Sequence, residues 1–269
     1  MKKFIFCIIV FCVAGCVRVS AEEQQAVDFV ATYSAETLAA LPSPTSIPPT
    51  QTPIVIEVQT PEITSIQNAQ QPNFAAQNPE GTLPDSHYIW DIWGHRQYFG
   101  LGCESAAVVD WAAYFDVPIT EFLFQTRLPL SDNPDLGFVG SVEGPWGQVP
   151  PYAYGVHAAP IAELLRSQYE INAAGEKDLT IEDLKPELAS GQPVIAWVIG
   201  NCVGGIPHEY IDKDGRSVTV AAYEHVVILT GYDEDSIRYM NNGKFYDIPY
   251  ENFANTWGVL GNMAVYLAD

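Results

Sequence analysis

The sequence predicts an α+β domain, helices first and an antiparallel sheet after them. Three observations carry this. Tryptophan-containing sequence appears abruptly at Tyr88-Ile-Trp-Asp-Ile-Trp93, after a long stretch poor in aromatics, and ordered sequence then runs to Asp269. Helical patterns fill the region from Cys103 to about Ser190. From Pro193 the pattern changes to short β-rich segments separated by turn dipeptides such as Asp214-Gly215 and Asn242-Gly243.

In order, Phe99-Gly-Leu-Gly102 is a loosened loop feeding an alanine-rich apolar run, which predicts a buried helix with Cys103 in its first turn. Glu121–Leu128 is a second short helix. The stretch 129–155, dense in glycine, proline and aromatics, reads as a long binding or covering loop. Ala158–Tyr169 is amphipathic, with Pro160 in its first turn. Thr180-Ile-Glu-Asp183 has capping-box spacing, with Asp where Glu or Gln is usual, and starts a helix that ends near Ser190-Gly191. The segments 193–199, 217–222, 225–230, 236–240, 244–248 and 263–267 are the expected strands, read as a meander.

The chain has 12 basic and 33 acidic residues and a formal charge of -21, which argues against nucleic acid and anionic lipid as partners. A basic start and an apolar stretch of about a dozen residues, too short to span a bilayer, read as an export signal. Val13-Ala-Gly-Cys16 resembles the bacterial lipoprotein box. That resemblance implies a signal peptide of residues 1–15 and a lipidated Cys16 on the extracytoplasmic face of the cell membrane. Cleavage after Val19-Ser-Ala21 would give a secreted protein instead. Residues 16–85 read as a flexible spacer rich in proline, threonine and glutamine, with a marginal helix at Ala26–Leu41 and a short strand at Ile54–Val58. The folded domain is expected over 86–269, as a monomer.

Only Cys103 and Cys202 remain in the exported body. Cys103 at a helix N-terminus meets unpaired N–H groups that favour a thiolate, an effect of up to ~2 kcal/mol that needs an imidazole partner to make a nucleophile. The alternatives are an ordinary buried cysteine or a Cys103–Cys202 disulfide. His225 opens the most apolar strand, where a ring is held firmly yet can face a cleft. Asn241 and Asn242 close the next strand, where an amide could accept a hydrogen bond from that ring. His87, His95, His157 and His208 lack ligand-like spacing with cysteine or acids, so neither metal nor cofactor is expected.

The spacing of Gln97 and Cys103, the segment His225-Val-Val-Ile-Leu-Thr-Gly-Tyr-Asp233 and a polar residue ending the next strand together resemble papain-fold cysteine peptidases related to the bacterial enzymes that cut double-glycine leader peptides. Ser131–Gly140 resembles a loop of their stand-alone secreted branch. The resemblance implies a papain-like fold, with Cys103 as nucleophile, His225 as base and then acid, Gln97 as oxyanion donor and Asn241, with Asn242 next in line, as orienting residue. It implies hydrolysis of a peptide amide. That family usually has Asp-Pro where this chain has Asn241-Asn-Gly243. Cell-wall peptide hydrolysis and a papain-like binding or adhesion module without turnover are the rival expectations.

Overall fold

The computed structural model describes residues 83–268. The expected signal peptide, Cys16, the helix at Ala26–Leu41 and the strand at Ile54–Val58 lie outside the described residues. No helix among the described residues is long and apolar enough to cross a membrane.

Among the described residues, four helices pack against one seven-stranded antiparallel sheet, and a fifth, Glu121–Arg127, packs against the helix Cys103–Tyr114. Helix α1 is Cys103–Tyr114 and α2 is Glu121–Arg127. α1 is not amphipathic: Ala106, Ala107, Val108, Trp111 and Ala112 are all buried, because its small alanines let it lie against the sheet while Trp111 reaches through to donate Nε1–H to the Pro193 carbonyl at 2.6 Å. Helix α3, Ala158–Tyr169, ends on Glu170 in the left-handed region. Helix α4, Ile181–Ala189, starts on the capping box read from sequence, Thr180 and Asp183 satisfying each other's backbone N–H. Helix α5, Tyr250–Trp257, was not read from the sequence; it has no side-chain cap.

Strand β1 is His87–Tyr88, and β2 (Leu130–Ser131) and β3 (Phe138–Val139) form a small parallel pair within the long loop. The remaining strands are β4 Ala173–Glu176, β5 Val194–Ile199, β6 His208–Ile211, β7 Ser217–Val220, β8 Glu224–Tyr232, β9 Ser236–Asn241, β10 Lys244–Pro249 and β11 Ala264–Leu267. Their order, β10-β9-β8-β5-β11-β4 with β1 on the far end of β8, is not a simple meander. The β6–β7 hairpin leaves the sheet between β5 and β8, and the last strand inserts between β5 and β4. β4 is Ala-Ala-Gly-Glu, without one branched side chain, and is specified by pairing with β11 rather than by local preference.

β8 is the spine. All nine of its residues are buried, and it pairs with β5 along one edge and β9 along the other. The β9–β10 turn is Asn242-Gly243, both at positive φ (48° and 73°), which reverses the chain tightly and sets Lys244 opposite Asn241. The loop 129–155 is pinned rather than free. Asn133 Nδ2 donates to Asp212 of the β6–β7 hairpin at 2.9 Å, and the Trp146 indole donates to the Glu224 carbonyl at 2.8 Å.

Candidate active site

Cys103 opens α1 and His225 stands second on β8. Because α1 packs on β8, the two line one cavity of about 310 Å³ together with Gln97, Trp146, Asn201, Asn241 and Asn242. The four sequence-predicted residues of the site therefore meet, and Cys16 lies outside the described residues. Cys103 and Cys202 are both free thiols, so the disulfide alternative is not realised.

The His225 ring is fixed by Asn241, whose Oδ1 lies 2.9 Å from Nε2. An amide oxygen only accepts, so Nε2 carries the proton and Nδ1 is left as the basic atom. Asn241 is itself held: its Nδ2 donates to Asn201 Oδ1 at 2.8 Å, and its Oδ1 also accepts from Asn242 Nδ2 at 2.8 Å. Tyr239 donates to the same Asn201 oxygen at 3.2 Å. Asn242 serves a different neighbour, accepting the Gln97 backbone N–H at 2.9 Å. Trp146 covers the other side of the imidazole, edge-on with ring centroids 6.2 Å apart, and also packs against Tyr223.

Gln97 sits on a loop held from beneath. His95 bridges Asp110 of α1 (2.6 Å) and Glu121 of α2 (3.1 Å), and Glu121 also accepts the backbone N–H of Tyr98 and Phe99. Burial pushes the His95 imidazole down, but its hydrogen bonds and charge contacts with Asp110 and Glu121 outweigh this and hold it above its ordinary value. Gly102 has no side chain because a Cβ there would meet the Glu121 carboxylate at 2.8 Å. The Gln97 amide nitrogen donates to the carbonyls of Phe99 (2.9 Å) and Gly100 (3.3 Å), so its protons are engaged within its own loop.

Electrostatics reverse the expectation that the helix N-terminus favours a thiolate. Burial raises the Cys103 pKa, and the charges of Glu104 and Glu224 raise it further. The thiol donates to Glu104 Oε2 at 3.1 Å. His225 is lowered by burial, which the Asn241 hydrogen bond offsets only in part. The resting pair is thus a neutral thiol beside a neutral imidazole.

The sequence reading passes over Glu104 and notes Glu224 beside the His225 motif only as a residue expected to pack or solvate, although an acid next to each of the two chemical residues, inside otherwise apolar runs, is the available signal. Both carboxyls are buried, 0% and 2% exposed. Glu104 Oε1 accepts the Val156 backbone N–H at 2.7 Å, whereas Glu224 Oε1 has no hydrogen-bond partner. Gly155, at φ +135°, leaves room for both: a Cβ there would lie 2.2 Å from Glu104 Oε1 and 3.2 Å from Glu224 Oε2. Burial raises both acids, Glu104 to about 7, and the charge of Glu104 raises Glu224 further. Neither forms an ion pair with a basic side chain among the described residues. Two acids so placed do not both ionise readily, because each is buried and neither charge is offset by a cation. The Cys103 sulfur and one oxygen from each acid lie within 4.8 Å of one another, a spacing a divalent cation could also span.

Residues 84–265 match the Peptidase_C39 like family. Among solved structures, the chain is similar to a Bacillus anthracis chain described as a C39-like peptidase, with 20% identity and a TM-score of 0.61 over 69% of this chain and 98% of that one. It is also similar to Xylellain, a cysteine protease from Xylella fastidiosa, with 13% identity and a TM-score of 0.42 over 69% of this chain and 86% of that one. No curated protein matches the chain.

Proposed function

The chain belongs to the Peptidase_C39 like family and is a cysteine-type peptidase, and from that premise we propose that it hydrolyses peptide amide bonds with a Cys103–His225–Asn241 constellation on the outer face of the membrane. The observation that carries the assignment is the 2.9 Å contact between His225 Nε2 and Asn241 Oδ1 on the wall of the cavity that Cys103 also lines.

His225 Nδ1 takes the thiol proton as sulfur bonds to the substrate carbonyl carbon, so charge separates only when substrate is present. The oxyanion is met by the Cys103 backbone N–H and by Gln97, whose amide turns from the Gly100 carbonyl to do so. Collapse breaks the C–N bond, and His225 returns the proton to the departing amine. Water then attacks the thioester with His225 as base, releasing the acid and the thiol.

Membrane attachment rests on Val13-Ala-Gly-Cys16. A Cys16→Ala variant is expected to leave the membrane fraction. Catalysis is tested by an active-site-directed electrophile: Cys103→Ala abolishes labelling, and equal labelling of variant and parent sinks the assignment. A peptide-binding module without turnover is the second reading, and the raised thiol pKa favours it. A His225→Ala variant with every property unchanged would select it.

A further inference from the structure

The cavity of Cys103 and His225 opens into a groove on both sides. On one side it shares Trp146, Gly200 and Asn201 with a cleft of about 490 Å³. On the other it shares Gln97, Gly100, Asn241 and Asn242 with a cleft of about 630 Å³. The two arms differ in chemistry.

The first arm is apolar and without formal charge. Ile199, Val203, Ile206 and Tyr223 line it with Trp146, and no aspartate, glutamate, lysine or arginine does. Val203, Ile206 and Tyr223 are 55%, 72% and 53% exposed, so this apolar surface stands open to solvent beside the reactive centre. Trp146 and Tyr223 are packed edge-on at 5.1 Å and form a fixed wall.

The second arm is cationic. Of the 12 lysines and arginines, Lys2, Lys3 and Arg18 precede the described residues. Among the nine that remain, Arg166, Lys177, Lys185, Lys213 and Arg216 are in ion pairs, and Arg127 and Arg238 lie over aromatic rings. Only Arg96 and Lys244 have neither kind of partner among the described residues, and both line the second arm, which no acid lines. Each is anchored one step from the reactive centre. Arg96 precedes Gln97, whose N–H is bonded to Asn242, and Lys244 is paired across the hairpin with Asn241. On a chain of formal charge -21, two unpaired cations converging on one cleft are a local inversion of the field, and such an inversion selects an anion.

We infer that the groove takes a peptide carrying an apolar side chain on one side of the scissile bond and a carboxylate on the other, held by Arg96 and Lys244. The carboxylate is either an acidic side chain or the C-terminus of the peptide. This deepens the peptidase reading and rests on it.

Binding to the Cys103→Ala variant tests the inference without requiring turnover. The probes are fluorescein-labelled octapeptides with one leucine and, a few positions away, Asp, Gln or Lys. They are made in both orders, and with amidated or free C-termini. In one order the Asp peptide binds about three- to tenfold more tightly than the Gln peptide, the Lys peptide binds more weakly, and the spread shrinks in high salt. An Arg96→Glu/Lys244→Glu double variant reverses the ranking, and replacing leucine by aspartate weakens binding to both proteins. A preference for Asp that persists with an amidated terminus assigns the carboxylate to a side chain; tighter binding of free than of amidated peptides, whatever the side chain, assigns it to the C-terminus. Equal affinity for all the peptides, with or without a carboxylate at side chain or terminus, an equal loss for all of them in the double variant, or no binding of any peptide overturns the inference. Failure of the peptidase assignment is read separately, from electrophile labelling of Cys103 in the parent.

Discussion

The carboxyl groups of Glu104 and Glu224 converge over Gly155, one contributed by the residue after the thiol and the other by the residue before the imidazole. The helix and the strand that carry the chemistry thus bury two acids close together, and burial favours their protonated forms. Both acids are raised, so the folded state binds protons that the unfolded chain releases at the ordinary carboxylate pKa. Their contribution to stability is full below that ordinary value and falls as pH rises through the raised one. Glu224→Gln removes one of the two raised carboxyls. The variant is expected to match the parent near pH 4.5 and to exceed it by on the order of 2 kcal/mol at pH 8, by denaturant melts at both values. Superimposable pH profiles for the two proteins would refute a raised Glu224.

The same pair adds to the burial that raises the thiol. At neutral pH, Cys103 of the free enzyme should react with iodoacetamide more slowly than a small free thiol does, and the rate should climb well into the alkaline range. Glu104→Gln removes the nearest negative charge and should speed alkylation about tenfold at pH 7, since one pKa unit is a tenfold change in thiolate. Faster labelling of the parent than of glutathione would contradict the neutral resting pair.

Asn241 and Asn242 are adjacent but serve different neighbours, so their variants should separate. Asn241→Ala frees the imidazole and is expected to lower kcat about 10–100-fold, the usual cost of losing a residue that orients a reactive group. Asn242→Gly suits the positive φ and should leave kcat within about threefold of the parent. Equal losses in both variants would show that neither orients the ring.

For Gln97→Ala the expected loss is about 10²–10³ in kcat with KM little changed, because the donor acts only once the oxyanion forms. The bond from residue 97 to Asn242 is made by the backbone and survives the substitution, so only the side-chain bonds to the Phe99 and Gly100 carbonyls are lost and the fold is kept. A loss confined to KM would assign Gln97 to ground-state binding.

His95 couples protonation to the loop that carries Gln97. Its pKa is raised, so its charged contacts with Asp110 and Glu121 contribute most below the ordinary histidine value and are lost as pH rises through the raised one. His95→Gln should therefore be less stable than the parent at pH 5.5 and closer to it at pH 8.5. An equal deficit at both values would make the residue a packing element only.

Much of this was legible in the sequence. The bounds of α3 and the capping box of α4 followed from periodicity and cap chemistry, and the strand carrying His225 announced itself by its unbroken apolar run. The meeting of Cys103 with His225 was legible only through the combined motif, because no local pattern encodes a contact across more than a hundred residues. The Glu104–Glu224 pair escaped notice because two like charges have no reason to lie together until their burial is known. Trp146 was hidden in a loop without periodicity, and β4 in a sequence that has no strand preference of its own. In each case the missing information was a tertiary partner.

The placement of His225 on β8 also decides how the enzyme fails. Ile228 and Leu229 are laddered to β5 and β9 at once, in a strand wholly sealed from water, so their amides should exchange with deuterium only through global opening. A partly melted state that has lost its base but kept its core is therefore denied to this protein. Heat inactivation and unfolding should share one half-life, and the chain stays competent for as long as it stays folded.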